Sequence, residues 1–261
     1  TFTHSIIMIK IKRLNLDSSW YIKFNQLNFI LDPWLIGSEI DGFKWLNEQW
    51  HIKPPVTIKD IPNYDSIIIS QNYEDHCHLE TLKKLPDDKS ILATEKAYSK
   101  LKKQFPNREI IHIDTKNKIE KNKINFISIK PPKIMDPIYF ALLIYDQENN
   151  GIFYAPHGFT LDENQKKLVN KFKIKLMITT FTEFKLPKIM GGYVNPGMSN
   201  VYELYNQISP KYIVNTHDEK KKAKGLVSLL AKIKYPDLKS IENVKDFNFI
   251  NIDNYKTITL N

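Results

Sequence analysis

Short apolar runs broken by polar turns open the chain. Residues 6–14, 20–24 and 29–32 are rich in β-branched and aromatic side chains, which predicts a meander of antiparallel strands. After Asp32-Pro33 the chain turns irregular and aromatic through Phe43, Trp45 and Trp50. It then reaches Ile67-Ile68-Ile69, an apolar run that predicts a strand covered on both faces. Leu79, Leu82 and Leu85 recur at helical spacing over residues 78–85. Residues 97–105 predict a second helix, between short strands around Ile91 and Ile110. The second half repeats this order, with strands at 124–129, 139–145 and 152–155, a helix at 163–172 and a strand at 176–179. A helix at 201–208, a strand at 212–215 and a helix at 223–233 follow.

Two halves that each carry strands and helices predict an α+β fold, an αββα sandwich of two mixed β-sheets flanked by helices. No repeat or low-complexity linker interrupts residues 1–261, so one domain is expected.

Composition supports a large core, with 42% hydrophobic and 12% aromatic residues, and excludes a disordered chain. No apolar run approaches the roughly 20 residues of a membrane helix, so no transmembrane segment is expected. No secretory signal is visible and Cys77 is the only cysteine, which together point to the cytoplasm. Met8 lies just inside the chain, which leaves open whether residues 1–7 are native. The formal charge of +9 is spread over lysines along the whole length, beside abundant Asn and Ile. Nucleic acid is therefore not an expected partner, whereas a small substrate is, an anionic one being favoured by the basic surface. The dense run 219–224 reads as the solvated start of a helix, and the oligomeric state stays open. Trp20, Trp34, Trp45 and Trp50 are expected in the core, with an acyl groove from the last three as the alternative.

The chemistry concentrates in Ser70-Gln71-Asn72-Tyr73-Glu74-Asp75-His76-Cys77-His78, directly after the apolar strand and before a helix. This segment resembles the His-x-His-x-Asp-His motif of the metallo-β-lactamase superfamily. Leu31-Asp32-Pro33, Pro54-Pro55 and Ile61-Pro62-Asn63-Tyr64-Asp65 extend the likeness. Their order is similar to the branch holding ascorbate-lactone hydrolases and N-acyl-phosphatidylethanolamine phospholipases. The resemblance implies the αββα fold and a two-metal site, but the motif is altered. Gln71 and Tyr73 stand where the family's first two histidines bind one metal, and 127–133 has no histidine for its third ligand. The first metal site is therefore expected to be lost.

For the second metal the resemblance implies Asp75 and His76, then His157 where the family has a bridging aspartate, then His217 after a late strand. A carboxylate bridges two cations, whereas an imidazole nitrogen serves one, so the exchange at His157 agrees with a single remaining ion. Zinc suits three histidines and a carboxylate best, with iron and manganese as alternatives. The implied activity is hydrolysis of a small ester, lactone or phosphodiester by one metal-bound water, if the coordination shell stays open. Tyr73 and Asp75 are the candidate catalytic groups, Tyr73 as a donor to a developing oxyanion. Asp32 would orient the ligands from behind, and Asp218 would hydrogen-bond a histidine or cap a loop. The 191–197 loop would line the entrance, its glycines allowing close approach. Two alternatives stand beside the hydrolase: a non-catalytic binding protein of the same fold, and a mononuclear iron redox enzyme. Read locally, Asp75 is also a candidate helix N-cap, and Cys77 and His78 are expected to point away from the site.

Overall fold

A computed structural model describes residues 7–132, 139–244 and 247–260. The questions of whether 1–7 are native and whether the first strand begins at Ile6 fall largely outside them, as does Lys133. Two mixed sheets face each other. The first contains Ile9–Arg13, Trp20–Phe24 and Leu27–Leu31 as an antiparallel meander, extended by Ser66–Ile69, Ser90–Thr94 and Ile110–Ile113 in parallel. Ile258–Leu260 closes its other edge. The second contains Ile119–Lys121, Ile124–Ile129, Ala141–Tyr145 and Asn150–Ala155 in antiparallel order, then Lys173–Thr179 and Tyr212–Asn215 in parallel.

Period-two alternation explains the layers. Leu142, Ile144, Ile152, Tyr154, Leu176 and Ile178 point inward to meet Ile9, Ile11, Trp20, Phe29 and Ile68 of the first sheet. Their neighbours Leu143, Phe153 and Met177 point outward, against Val169 of helix Glu163–Val169, Val201 and Leu204 of helix Met198–Ile208, and Ile241 of helix Leu238–Glu242. Ile67, Ile69 and Ile91 of the first sheet pack on Leu82, Ala97 and Leu101 of helices Leu79–Lys84 and Glu95–Gln104. The run 67–69 is buried on both faces, as its composition demands. This is the αββα sandwich, with helices covering both outer faces.

Three expectations are corrected. The helix expected at 223–233 is instead strand Lys222–Lys224, a single helical turn Leu226–Leu230 and strand Lys232–Lys234. Gly225, at φ +103°, breaks the element, and its missing Cβ lets the chain approach the carbonyl oxygen of Leu46, which a Cβ would meet at 2.6 Å. The lysine run is accordingly no helix start. Its Lys222 and Lys224 are exposed on a strand paired with Glu48–Trp50, whereas Lys221 is only 12% exposed. Trp20 and Trp34 are fully buried, but Trp45 is 66% exposed and leaves the core.

Two small sheets lie outside the sandwich. Lys222–Lys224, Glu48–Trp50 and Glu39–Ile40 form one, and Tyr193–Pro196, Glu183–Lys185 and Lys232–Lys234 form the other. Backbone N–H groups of Leu226 and Val227 donate to the carbonyls of Trp45 and Leu46, joining the helical turn to the first of them. Together they make a collar. Among the described residues no helix is long and apolar enough to cross a membrane.

Candidate metal centre

Parallel strands of both sheets end at the same edge of the sandwich, so the segments that follow them converge there. Asp75 and His76 follow Ser66–Ile69, in a turn where His76 N–H and Cys77 N–H both donate to the carbonyl of Tyr73. His157 follows Asn150–Ala155, and His217 follows Tyr212–Asn215. One ligand atom from each of Asp75, His76, His157 and His217 lies within 4.8 Å of all the others. His76 Nε2 stands 2.9 Å from His157 Nε2, and Asp75 Oδ2 is 3.0 Å from His217 Nε2 and 3.6 Å from His76 Nε2.

The outward nitrogen of each imidazole is held by an acceptor. His76 Nδ1 donates to Asp32 Oδ2 (2.7 Å), His157 Nδ1 to Asn195 Oδ1 (2.8 Å) and His217 Nδ1 to Asp17 Oδ1 (3.0 Å). A carboxylate or amide oxygen can only accept, so each Nδ1 carries a proton and each Nε2 faces the shared centre, where it can bind an ion once any second proton has left. Asp75 Oδ1 is buried and has no hydrogen-bond partner. Three imidazole Nε2 atoms and Asp75 Oδ2 around one point, with Oδ1 of the same carboxylate left unpartnered, are the donor set of a divalent cation. The residues fit the ion.

Local backbone fixes this arrangement. Asp32 and His217 both adopt left-handed backbone, at φ +47° and +57°, where non-glycine residues are uncommon. Asp32 is held there by four donors: Ser70 N–H, Ser70 Oγ–H, His76 Nδ1–H and Tyr154 O–H. His217 is held by its own N–H donating to Asp17 O (2.9 Å). Gly158, at φ +77°, follows His157, and a Cβ there would meet Asn200 Oδ1 at 2.6 Å, so the turn that presents His157 admits only glycine.

The remaining sequence candidates fall as follows. Asp32 lies behind His76, in the orienting position. Among the described residues Asp218 makes no hydrogen bond to a histidine; its oxygens accept from Thr180 Oγ, Phe181 N–H, Thr182 N–H and Asn215 Nδ2, fastening the 180–182 turn. The N-cap of helix Leu79–Lys84 is His78, whose Nδ1 accepts from Thr81 N–H, so Asp75 is not the cap. Cys77 is buried. Gln71 turns both ends of its amide to the backbone of Phe140, at 2.7 and 3.2 Å. Tyr73 packs on Tyr139 (5.7 Å between ring centroids), which in turn stacks on His157 at 4.0 Å. The 191–197 loop contributes Gly191, Val194 and Asn195 to the cavity wall.

Sequence reasoning missed Asp17, Lys221 and the role of Asn195. Asp17 looks like any turn residue, Lys221 looks like any member of a lysine run, and neither carries a local signal. In the fold Lys221 Nζ donates to Asp17 Oδ2 (3.0 Å), so a lysine, an aspartate and a histidine form a chain ending at the centre.

Charge follows the same chain. Burial works against ionised Asp17, but His217 and Lys221 overcome it and hold the carboxyl far below its usual range. Burial likewise opposes a charged His217, and Asp17 outweighs it, lifting the imidazole to about 10. Burial would raise Asp75, yet His76 and His217 bring it well below a normal carboxyl. Burial, then His217 and His76, depress His157. Burial opposes a charged His76 too, but Asp75 and Asp32 raise it. Without an ion, protons therefore bridge His76 to His157 and His217 to Asp75. Further out, burial and then Asp75 raise Glu39 well above the carboxyl range and Asp41 to about 6.

The centre forms the floor of a cavity of about 350 Å³, with Tyr73, Asp75, His157 and His217 among the residues around it. Leu46, Leu186, Met190, Val227 and Ile233 of the collar make its walls apolar.

The fold and this centre define a protein of the metallo-β-lactamase class. The family model of the beta-lactamase superfamily domain matches residues 15–217, and the chain belongs to that superfamily. No curated protein matches it in sequence. Among solved structures it is similar to a possible metal-dependent hydrolase from Veillonella parvula, with 12% identity, TM-score 0.71 and coverage of 98% of this chain and 100% of that one. It is also similar to Igni18, a metallo hydrolase from Ignicoccus hospitalis, with 11% identity, TM-score 0.67 and coverage of 97% and 99%. The diiron β-hydroxylase CmlA from Streptomyces venezuelae shares the fold at 11% identity and TM-score 0.66, over 99% of this chain and 54% of that one.

Proposed function

We propose that the protein is a hydrolase with one divalent metal ion, zinc by preference, held by Asp75, His76, His157 and His217. The observation that carries this reading is the convergence of three Nε2 atoms, each imidazole fixed by a hydrogen bond at Nδ1, beside a carboxylate with an unpartnered oxygen. The ion, when bound, polarises the substrate and lowers the pKa of water toward neutrality. A single ion is supported by Gln71, whose amide faces the Phe140 backbone, and by the tyrosine pair that fills the space beside His157.

The chain's own groups divide the remaining work. Asp75 Oδ1, left without a hydrogen-bond partner, would accept a hydrogen bond from the attacking water and orient it. Burial, then Asp41 and Asp75, raise the Tyr73 phenol above its ordinary value, so it stays protonated and serves as the donor to a developing oxyanion. Asp17, neutralised by Lys221 on its far side, keeps His217 turned inward. Asp32 does the same for His76 and Asn195 for His157. The cavity volume and its apolar wall suit a small ester, lactone or phosphodiester.

Metal analysis of protein reconstituted with Zn²⁺, Mn²⁺ or Fe²⁺ tests the reading, followed by turnover of an aryl ester, a lactone and an aryl phosphodiester. One ion per chain, with hydrolysis lost in Asp75→Asn, is expected. Two ions per chain or none, or turnover unaffected by Asp75→Asn, overturns it.

A further inference from the structure

The collar around the cavity carries a pattern that neither the core nor the centre requires. Of the eleven large hydrophobic side chains exposed among the described residues, eight lie on its three segments, 39–50, 183–196 and 222–235. Trp45 is 66% exposed and stacks with Phe43, while Leu229 and Ile189 are 81% and 96% exposed. The same segments expose Lys44, Lys188, Lys222, Lys224, Lys232 and Lys234, and expose no carboxylate: Glu39 is buried, and Asp41, Glu48 and Glu183 are half-buried. The general excess of lysine in the chain does not produce this, since elsewhere exposed lysines stand beside exposed acids such as Asp87, Asp88 and Glu95.

Apolar side chains held in water cost free energy unless something covers them. The six lysines define what can. We propose that the collar docks the mouth of the cavity onto an anionic lipid bilayer, with Trp45, Phe43, Leu229 and Ile189 entering the interface and the lysines resting on the headgroups. A second copy of the chain is disfavoured, because a two-fold contact would set these lysines against themselves. Single-stranded RNA is disfavoured as well. It binds by stacking on aromatic rings, whereas most of the exposed collar side chains are aliphatic and the collar has no arginine. The cavity then opens toward the membrane, and an amphiphilic substrate reaches the centre without crossing water.

The docking surface does not depend on the ion, so metal-free protein tests it separately from the hydrolase reading. Vesicles of phosphatidylcholine alone and with about a quarter phosphatidylglycerol are sedimented with the full chain. Binding to the anionic vesicles only, with a blue shift of Trp emission and quenching by brominated lipid that Trp45→Phe removes, is expected. The substituted side chains are exposed, so the variants are expected to keep the fold, which circular dichroism checks. Trp45→Ala with Leu229→Ser is expected to weaken partitioning at least about tenfold, and each of Lys222→Gln, Lys224→Gln and Lys232→Gln about fivefold. No sedimentation with anionic vesicles, or binding indifferent to these changes, overturns the proposal. So does a dimer in light scattering that Trp45→Ala dissociates, or binding of a uridine homopolymer that displaces the vesicles.

Discussion

His157→Ala is the sharpest probe of the centre, because it removes one donor while leaving Asp75 in place and His76 and His217 with their outer partners. Structural zinc sites are worth about 10–16 kcal/mol over four ligands, so one ligand accounts for roughly 3 kcal/mol, or about a hundredfold in affinity. A ligand that binds only the folded state at 100 times its dissociation constant stabilises it by about 2.7 kcal/mol. For a chain of this size that raises Tm by roughly 5–10 °C. At the same free ion concentration the variant sits near its own dissociation constant, where the gain falls to about 0.4 kcal/mol and roughly 1 °C. The diagnostic quantity is the metal-dependent increment, since His157→Ala also removes the Asn195 hydrogen bond and the Tyr139 stack from the ion-free protein. Differential scanning calorimetry with and without Zn²⁺ measures it, with His112→Ala, outside the cluster, as control. An undiminished increment in His157→Ala, or an equal loss in His112→Ala, would refute the assignment.

Three further outcomes follow from the same geometry. Asp17→Asn keeps His217 but weakens the acceptor behind it, and metal affinity by competition with a chromogenic chelator should fall about 10–100-fold; an unchanged affinity removes Asp17 from the site. Because Asp17 lifts His217 to about 10, an ion must displace that proton below this pH, so affinity rises with pH up to about 10. Calorimetry in buffers of different ionisation enthalpy should show release of at least one proton per ion at pH 8, and zero release would contradict the bridged proton network. Asp32→Ala leaves four buried donors unpaired and should destabilise the fold by roughly 3–5 kcal/mol in urea unfolding; a loss below about 1 kcal/mol would mean the Asp32 network is not needed.

Periodicity read the sandwich well because its strands and long helices bury a face. Strands Trp20–Phe24, Ile124–Ile129 and Tyr212–Asn215 lie where their patterns place them. The collar was illegible for the opposite reason. Lys222–Lys224 and Lys232–Lys234 are exposed along their whole length, so no alternation marks them, and Leu226, Leu229 and Leu230 between them mimic a helical stripe. The four clustered side chains were accessible through the family resemblance, since each follows a strand whose pattern is clear. Asp17, Asn195 and Lys221 were not, because long-range pairing selects them and their neighbours in sequence say nothing about it.

Among the described residues the two three-stranded sheets that wall the cavity share no ladder with the large sheets that set the histidines. Mouth and floor are thus built from separate sheets and keyed together at Asn195, which the collar contributes and which holds His157. Changes to the collar's surface can alter what is admitted while the ion-holding groups stay in place, provided Asn195 is kept. Grafting a foreign collar at residues 39–50, 183–194 and 222–235, with Asn195 retained, is therefore the natural route to altering selectivity in the laboratory.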